Sequence, residues 1–348
     1  MPRVLTPQQM PDAVIAVLDN MNKGKWIGEM TDLTDHVGFS RFVKGPDKQQ
    51  SGGNGATVRY LMDHNHSAAH TGLFGTTAFD RNDALVEGKV RWTYTDANAV
   101  FDEREPSLNS PNELEIVDHV QIVNAQAMAS LVELCEQDVW SKPESSADND
   151  TPMGLEYWVT KHATVGYNGG DPEGFAAGRA GISSDDHARH KNFTGAYSTV
   201  DDVADTGLVW MMEQAADKTN WISPVPEPGM GRSSGSRIIA CNWATRYALK
   251  LEAKSNNESI GYDLYLRDTV FRGAPFTYVP YFDAKADNPL YMLDTKHLYA
   301  MFMRGWQMKK KKVKQLPNQV HCFAIITSMV WNIICDDIRK QAVFHVAQ

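Results

Sequence analysis

Three histidines, His64, His66 and His70, form the densest group of potential metal ligands in the chain. On a helix, His66 and His70 would share a face at the i, i+4 spacing that lets two imidazoles reach one zinc ion. On a strand, His64 and His66 would share it instead. No acid or cysteine follows at ligand spacing and no H-E-x-x-H occurs. A metal-dependent hydrolase built on this cluster is therefore the alternative reading, and polar loop histidines are the simpler one. Asp185, Asp186, His187 and His190 form a second group of the same kind.

Other chemistry finds no anchor. There is no G-x-S-x-G elbow, and Gly166-Tyr167-Asn168-Gly169-Gly170 matches neither a dinucleotide nor a Walker A loop. Cys135, Cys241, Cys322 and Cys335 are scattered, without C-x-x-C or zinc-ribbon spacing, and read as buried thiols. No catalytic residue, metal or cofactor is assigned. Lys309-Lys310-Lys311-Lys312-Val313-Lys314 is the one basic run, a solvated loop or a contact for something acidic.

The 348 residues carry a net charge of −9, which argues against a strongly basic nucleic-acid coat. Between Asp102 and Asp150 stand 12 acidic residues against Arg104 and Lys142, so nearly all the excess sits there. The lysine run and this acidic stretch are expected to meet between copies of the chain. No stretch approaches the roughly 20 apolar residues of a membrane span.

The elements that would position these residues are unevenly built. Short apolar segments, including Val14, Ile15, Val17 and Leu18, precede a polar linker from Lys44 to Gly55. Thr57–Met62 and Lys89–Thr95 alternate as strands, the second with Val90, Trp92 and Tyr94 on one face. Two strands alone are marginal in water, so this excursion needs a neighbour. Ser110-Pro111-Asn112-Glu113 is a capping box. Ile116, Val120, Val123, Ala127, Leu131 and Leu134 then predict one face of a long helix that ends at Lys142-Pro143.

Further on, Thr199–Ala216 predicts a helix with Thr199 as its N-cap. Arg237–Ala240 predicts a strand, Asn242–Ala253 a helix, and Thr269–Phe282 a hairpin turning at Arg272-Gly273. His321–Ile334 is apolar on both alternating faces, as in a strand covered on both sides.

In this order the segments resemble the major capsid proteins of tailed bacteriophages, which have the fold named after phage Hong Kong 97. The strings that carry the likeness are Met10–Leu18, Met62–Ala69, Gly166–Gly170, Phe271–Pro275 with Tyr278-Val279-Pro280, and Arg339–Phe344. The resemblance implies an α+β chain with an N-terminal arm at 1–50 and an extended loop at 51–105. It implies a peripheral domain at 106–225 with a spine helix at 111–142, an axial domain at 226–315, and a return to the peripheral domain at 316–348. Hexamers and pentamers would then close an icosahedral shell around double-stranded DNA held by weak contact only. A separate scaffolding protein and a portal would be partners, with assembly in the host cytoplasm and no membrane involved.

Under that resemblance, Val14, Leu18, Arg59, Tyr60, Arg91, Trp92, Lys309, Lys310, Lys311 and Lys312 are contact candidates between copies. Glu113, Glu115 and Asp118 are candidates for an acidic interior face, which would repel phosphates. Lys89 is the only lysine between Ser51 and Glu105 and sits on an expected strand, so no covalent cross-link is expected.

Overall fold

The computed structural model describes residues 36–43, 48–63, 68, 70–73, 85–102, 104, 113–222, 236–255, 270–311, 313–315 and 321–347. Strands β1 (Lys48–Gln50), β2 (Ala56–Leu61), β3 (Leu85–Val90) and β4 (Thr93–Asp102) precede a long helix, α1 (Glu113–Trp140). Then come α2 (Leu155–Trp158), β5 (Gly166–Gly169), β6 (Asn192–Tyr197) and α3 (Leu208–Lys218). They are followed by β7 (Arg237–Cys241), α4 (Trp243–Ser255), β8 (Val270–Phe271), β9 (Ala274–Tyr278) and β10 (Leu290–Asp294). The chain finishes with β11 (Leu298–Met303), β12 (Lys309–Lys310), β13 (Lys314–Gln315), β14 (Cys322–Cys335) and β15 (Ala342–Val346).

The first sheet is organised by β14, whose β-branched and aromatic residues are covered on both faces as the sequence predicts. Along one edge it pairs antiparallel with β4, from Cys322 opposite Asp102 to Trp331 opposite Thr93. Its other edge carries β11, β12 and β13 in turn, and β1 adds to β11 in parallel. Lys48–Gln50, expected within a flexible linker, is thus a strand of this sheet.

Helix α1, 28 residues and about 42 Å long, lies on the face shown by Phe323, Ile325, Met329 and Trp331. Its buried side is Val120, Asn124, Leu131, Cys135 and Val139. Leu134, expected on that stripe, is exposed: four-residue steps from Leu131 to Cys135 to Val139 keep the sheet-facing heading, and a three-residue step does not. The capping box lies outside the described residues.

Residues 36–43, expected in an arm that lies on other copies, instead pack into this chain's own core. Phe42 and Val43 are buried, and Phe42 meets the edge of Trp140 at 6.0 Å. The Glu136 carboxylate accepts N–H bonds from Gly38 and Phe39 and from the Trp140 indole, closing the end of this segment onto α1.

The second sheet runs β5-β6-β15-β10-β7-β9-β8. One of its faces, with Ile239, Cys241, Leu290, Met292 and Phe344, is covered by α3 and α4. The other, with Ile238, Ala240, Tyr291, Leu293 and Val343, joins the core beneath α1. Strand alternation divides these residues between two cores. This membership cuts across the expected boundaries. β5, β6 and β15 join β7–β10, while β11, β12 and β13, expected with them at 226–315, belong to the β14 sheet. The reason is long-range strand pairing, which no local signal in the sequence reports.

Local expectations fare variously. Helix α3 starts at Leu208 with Gly207 at its N-cap, and Thr199 instead bonds the Asp201 carboxylate. Asn242 caps α4 by accepting from Thr245 N–H at 2.9 Å. Arg272 and Gly273 both have positive φ, 43° and 81°, the mark of a type I′ hairpin turn. The strand after that turn ends at Tyr278, and Pro280–Ala284 forms a 3₁₀ turn.

Two short connectors join the sheets, 295–297 between β10 and β11 and 336–341 between β14 and β15. Asp336 N–H donates to the His297 carbonyl at 2.9 Å, and the two side chains meet at 2.6 Å. Lys340 Nζ donates to His297 Nε2 at 2.7 Å.

Candidate assembly surfaces

β2 and β3 form a separate antiparallel ribbon, paired from Ala56 opposite Val90 to Leu61 opposite Leu85. Its inner face holds Ala56, Val58, Tyr60 and Val90, all buried. Tyr60 Oη donates to the Cys335 carbonyl at 2.6 Å, and Lys89 N–H donates to the Ala180 carbonyl at 2.9 Å. Gly88 lets the ribbon close on this loop: a Cβ there would stand 3.0 Å from that of Ala180 and 3.2 Å from Ile182.

The ribbon stops at Val90, and the chain re-enters strand structure at Thr93 as part of the first sheet. Across that break the alternation shifts. Val90 and Trp92 are buried as expected, but Thr93 and Thr95 are buried too, and Tyr94 is 72% exposed. The sequence shows one uninterrupted alternating run there and carries no marker for the break.

Three contact candidates are corrected by this geometry. Tyr60 and Trp92 are buried in their own chain, and Trp92 Nε1 donates to the Gly53 carbonyl at 3.0 Å. Arg91 donates to the Thr151 carbonyl at 3.0 Å. Tyr60 and Trp92 anchor the root of the ribbon from its inner side, and Arg91, half-buried in the break beside Trp92, ties that root to the 149–151 loop. Arg59 alone of the ribbon candidates faces outward, in an exposed pair with Glu87 at 3.2 Å.

The outer face of the ribbon changes character along its length. Thr57 opposite Lys89 and Arg59 opposite Glu87 are polar, and the last pair, Leu61 opposite Leu85, is apolar and 75% and 59% exposed. An apolar cross-strand pair in water gains free energy when something covers it.

Beneath the ribbon lies a cavity of about 730 Å³, lined among others by Tyr60, Met62, Arg189, His190, His297 and Asp336. The His190 ring lies edge-on to Tyr60 at 5.1 Å, and its Nε2 is buried without a hydrogen-bond partner among the described residues. Burial first, then the Arg179 guanidinium, push the His190 imidazole down to about 4; His187 adds to this and Asp171 opposes it. The folded chain therefore resists a proton that the unfolded chain accepts near pH 6.5. Stability is expected to be full above that pH and to fall between about pH 6.5 and 4. Melting temperature measured against pH should show this fall for the parent and a shallower one for His190→Gln; equal slopes would remove the assignment.

The remaining candidates divide by location. Lys309 and Lys310 are exposed on β12 and Lys311 is half-buried. Lys312, Val14, Leu18, His64 and His66 lie outside the described residues, as do the side chains of Glu113, Glu115 and Asp118 on α1. His70 is exposed, as are Asp185 and Asp186, while His190 is buried. Among the described residues no three His, Cys, Asp or Glu side chains converge as metal ligands. Burial pushes the Cys135 and Cys241 thiols up to about 12, as inert core thiols require.

Sequence reasoning missed Arg179, which is fully buried and holds the 160–192 loops together. It donates to Thr160 Oγ1, Asn192 Oδ1 and the carbonyls of Gly169 and His190. Its acceptors are spread over thirty residues of loop, so no spacing announces it. Leu61 was legible, since it alternates with the buried set of its strand.

A sheet with a long helix laid on it, a second helix-covered sheet and a two-stranded ribbon make up a fold that solved capsid chains share. The particular resemblances are to solved phage and phage-like capsids. The chain in the cyanophage A-1(L) capsid asymmetric unit is similar with a TM-score of 0.65 at 12% identity, over 94% of this chain and 97% of that one. The capsid of a native GTA particle follows with a TM-score of 0.55 at 11% identity, over 93% and 95%. Mycobacterium phage Bobi gives 0.51 at 8% identity, over 95% and 98%. No protein-family model and no curated protein matches the sequence.

Proposed function

We propose that this chain is the major capsid protein of a tailed bacteriophage, with a Hong Kong 97-type fold. It assembles as hexamers and pentamers into an icosahedral shell around double-stranded DNA. One observation carries the reading: the likeness to capsid chains runs over nearly the full length of both partners. In this reading the β2–β3 ribbon lies on a neighbouring copy, which covers Leu61 and Leu85. The arm contributes through Val14 and Leu18, ahead of the 36–43 segment that packs on this chain's own core, and Glu113, Glu115 and Asp118 line the interior. A scaffolding protein and a portal complete the assembly in the host cytoplasm.

Negative-stain microscopy of the purified protein tests this directly. Shells, tubes or capsomer rings are the expected result, and a monomer at high concentration would contradict it. Leu61→Ser with Leu85→Ser should reduce particle formation while leaving the melting temperature of the dissociated chain within about 2 °C of the parent, since exposed positions contribute little to folding. A melting temperature that falls while particles persist would place these leucines inside the chain's own fold.

A further inference from the structure

The edge that β12 and β13 form in succession along β14 concentrates positive charge that no carboxylate among the described residues neutralises. Lys309 and Lys310 pair with Ser328 and Thr327 on β14, and Lys314 pairs with Ala324. All three lysines are exposed. Lys311 is pinned by its N–H bond to the Ile326 carbonyl at 2.8 Å. Trp306 carries the ammonium of Lys309 at 4.5 Å and that of Lys311 at 5.8 Å from its ring centre, which holds two charges in place. Among the described residues none of these lysines lies within ion-pair distance of a carboxylate.

The opposite sign gathers where α1 ends. Glu144, Asp150 and Glu173 are exposed and Asp148 is half-buried, and Ser146 N–H bonded to the Gly174 carbonyl at 3.2 Å holds the two segments together. Lys142 and Arg91 are the basic groups here, and they donate to the carbonyls of Glu173 and Thr151 at 3.1 and 3.0 Å. Helix α1 has no basic residue in its last turn, so its negative dipole end adds to the corner.

These two surfaces do not meet within one chain. The acidic corner is tied to β14 at Asn332, which accepts from Met153 N–H at 2.8 Å, whereas the lysines flank positions 324–328. Along β14 these two anchoring points stand roughly 13 to 26 Å apart, and no ion pair joins the two groups among the described residues. A basic edge and an acidic corner at separate places on one subunit suit a head-to-tail contact between copies.

We propose that the lysine edge formed by Lys309, Lys310, Lys311 and Lys314 docks on the acidic corner formed by Glu144, Asp148, Asp150 and Glu173 of a second copy of this chain. The inference rests on the shell reading and names one of its contacts. Nucleic acid is the competing occupant. The overall charge of −9 disfavours it, as does the presence of a complementary surface on the same molecule.

Light scattering and microscopy of the full chain at low and high salt provide the test. Lys309→Glu with Lys310→Glu should raise the concentration needed for assembly by about tenfold or more at low salt. Glu144→Lys with Asp150→Lys should do the same, and the four changes together should restore assembly. Melting temperatures of the dissociated variants should match the parent, because all four positions are exposed. Assembly of the lysine variant equal to that of the parent overturns the proposal and leaves the shell reading intact. Equal assembly with lost affinity for duplex DNA assigns the lysine edge to nucleic acid instead. Failure of the four-fold variant to recover moves the partner surface elsewhere, and a parent that never assembles removes both readings.

Discussion

Arg179→Met is expected to destabilise the folded chain by about 4 kcal/mol, measured by urea denaturation of dissociated subunits. The guanidinium is fully buried and donates to four acceptors. Two opposing effects decide the sign. Burial costs the charge dearly, enough to pull its pKa to about 10, and removal recovers that cost. Against this, the Gly169 and His190 carbonyls lose a buried donor, at about 1–3 kcal/mol for each unsatisfied group, and the link to Thr160 and Asn192, which keep the Thr160 N–H bond at 3.1 Å, is lost as well. Together these losses outweigh the relief of one cation. Arg179→Lys should fall between, since one ammonium reaches fewer of them. A loss under 1 kcal/mol for the methionine variant would mean that the loops are held by something else.

Trp331→Ala should cost about 4 kcal/mol, the range for deleting a large aromatic from a packed core. Trp331 is fully buried in the middle of β14, opposite Thr93 on β4 and Phe302 on β11. Its indole also donates to Thr95 Oγ1 at 3.0 Å. Trp331→Phe separates the two contributions: it keeps most of the volume, strands the threonine hydroxyl, and should cost about 1–2 kcal/mol. If both variants lose the same amount, the hydrogen bond rather than the packing governs this site.

What could be read from residues alone follows a physical rule. Most signals confined to neighbouring positions survived, among them the doubly covered strand at β14, the Arg272-Gly273 turn and the long helix, although the Thr199 cap did not. Signals that depend on a distant partner did not. The run from Lys89 to Thr95 alternates without interruption, yet it divides between ribbon and sheet because β14 captures Thr93 onward. The second sheet draws strands from three distant stretches, and no local propensity encodes that. Of the candidate surfaces, the lysine run stood out as a charge block, whereas Leu61 went unnamed although its place opposite to the buried set of its strand could have marked it. Tyr60 and Trp92 looked equally available and proved to be anchors. Aromatic residues on an isolated-looking ribbon are more easily explained by the surface they root into than by one they seek.

The paired connectors at 295–297 and 336–341 have a consequence for how a closed container could vary in curvature. Both run between the same two sheets, and His297, Asp336 and Lys340 lace them side by side. Swivelling one sheet against the other would wring both connectors at once and shear the aromatic packing of Trp140 with Phe282 beside them. The two sheets are therefore expected to move as one body. In the proposed shell, differences between sharply and gently curved places would then fall at the joints between copies.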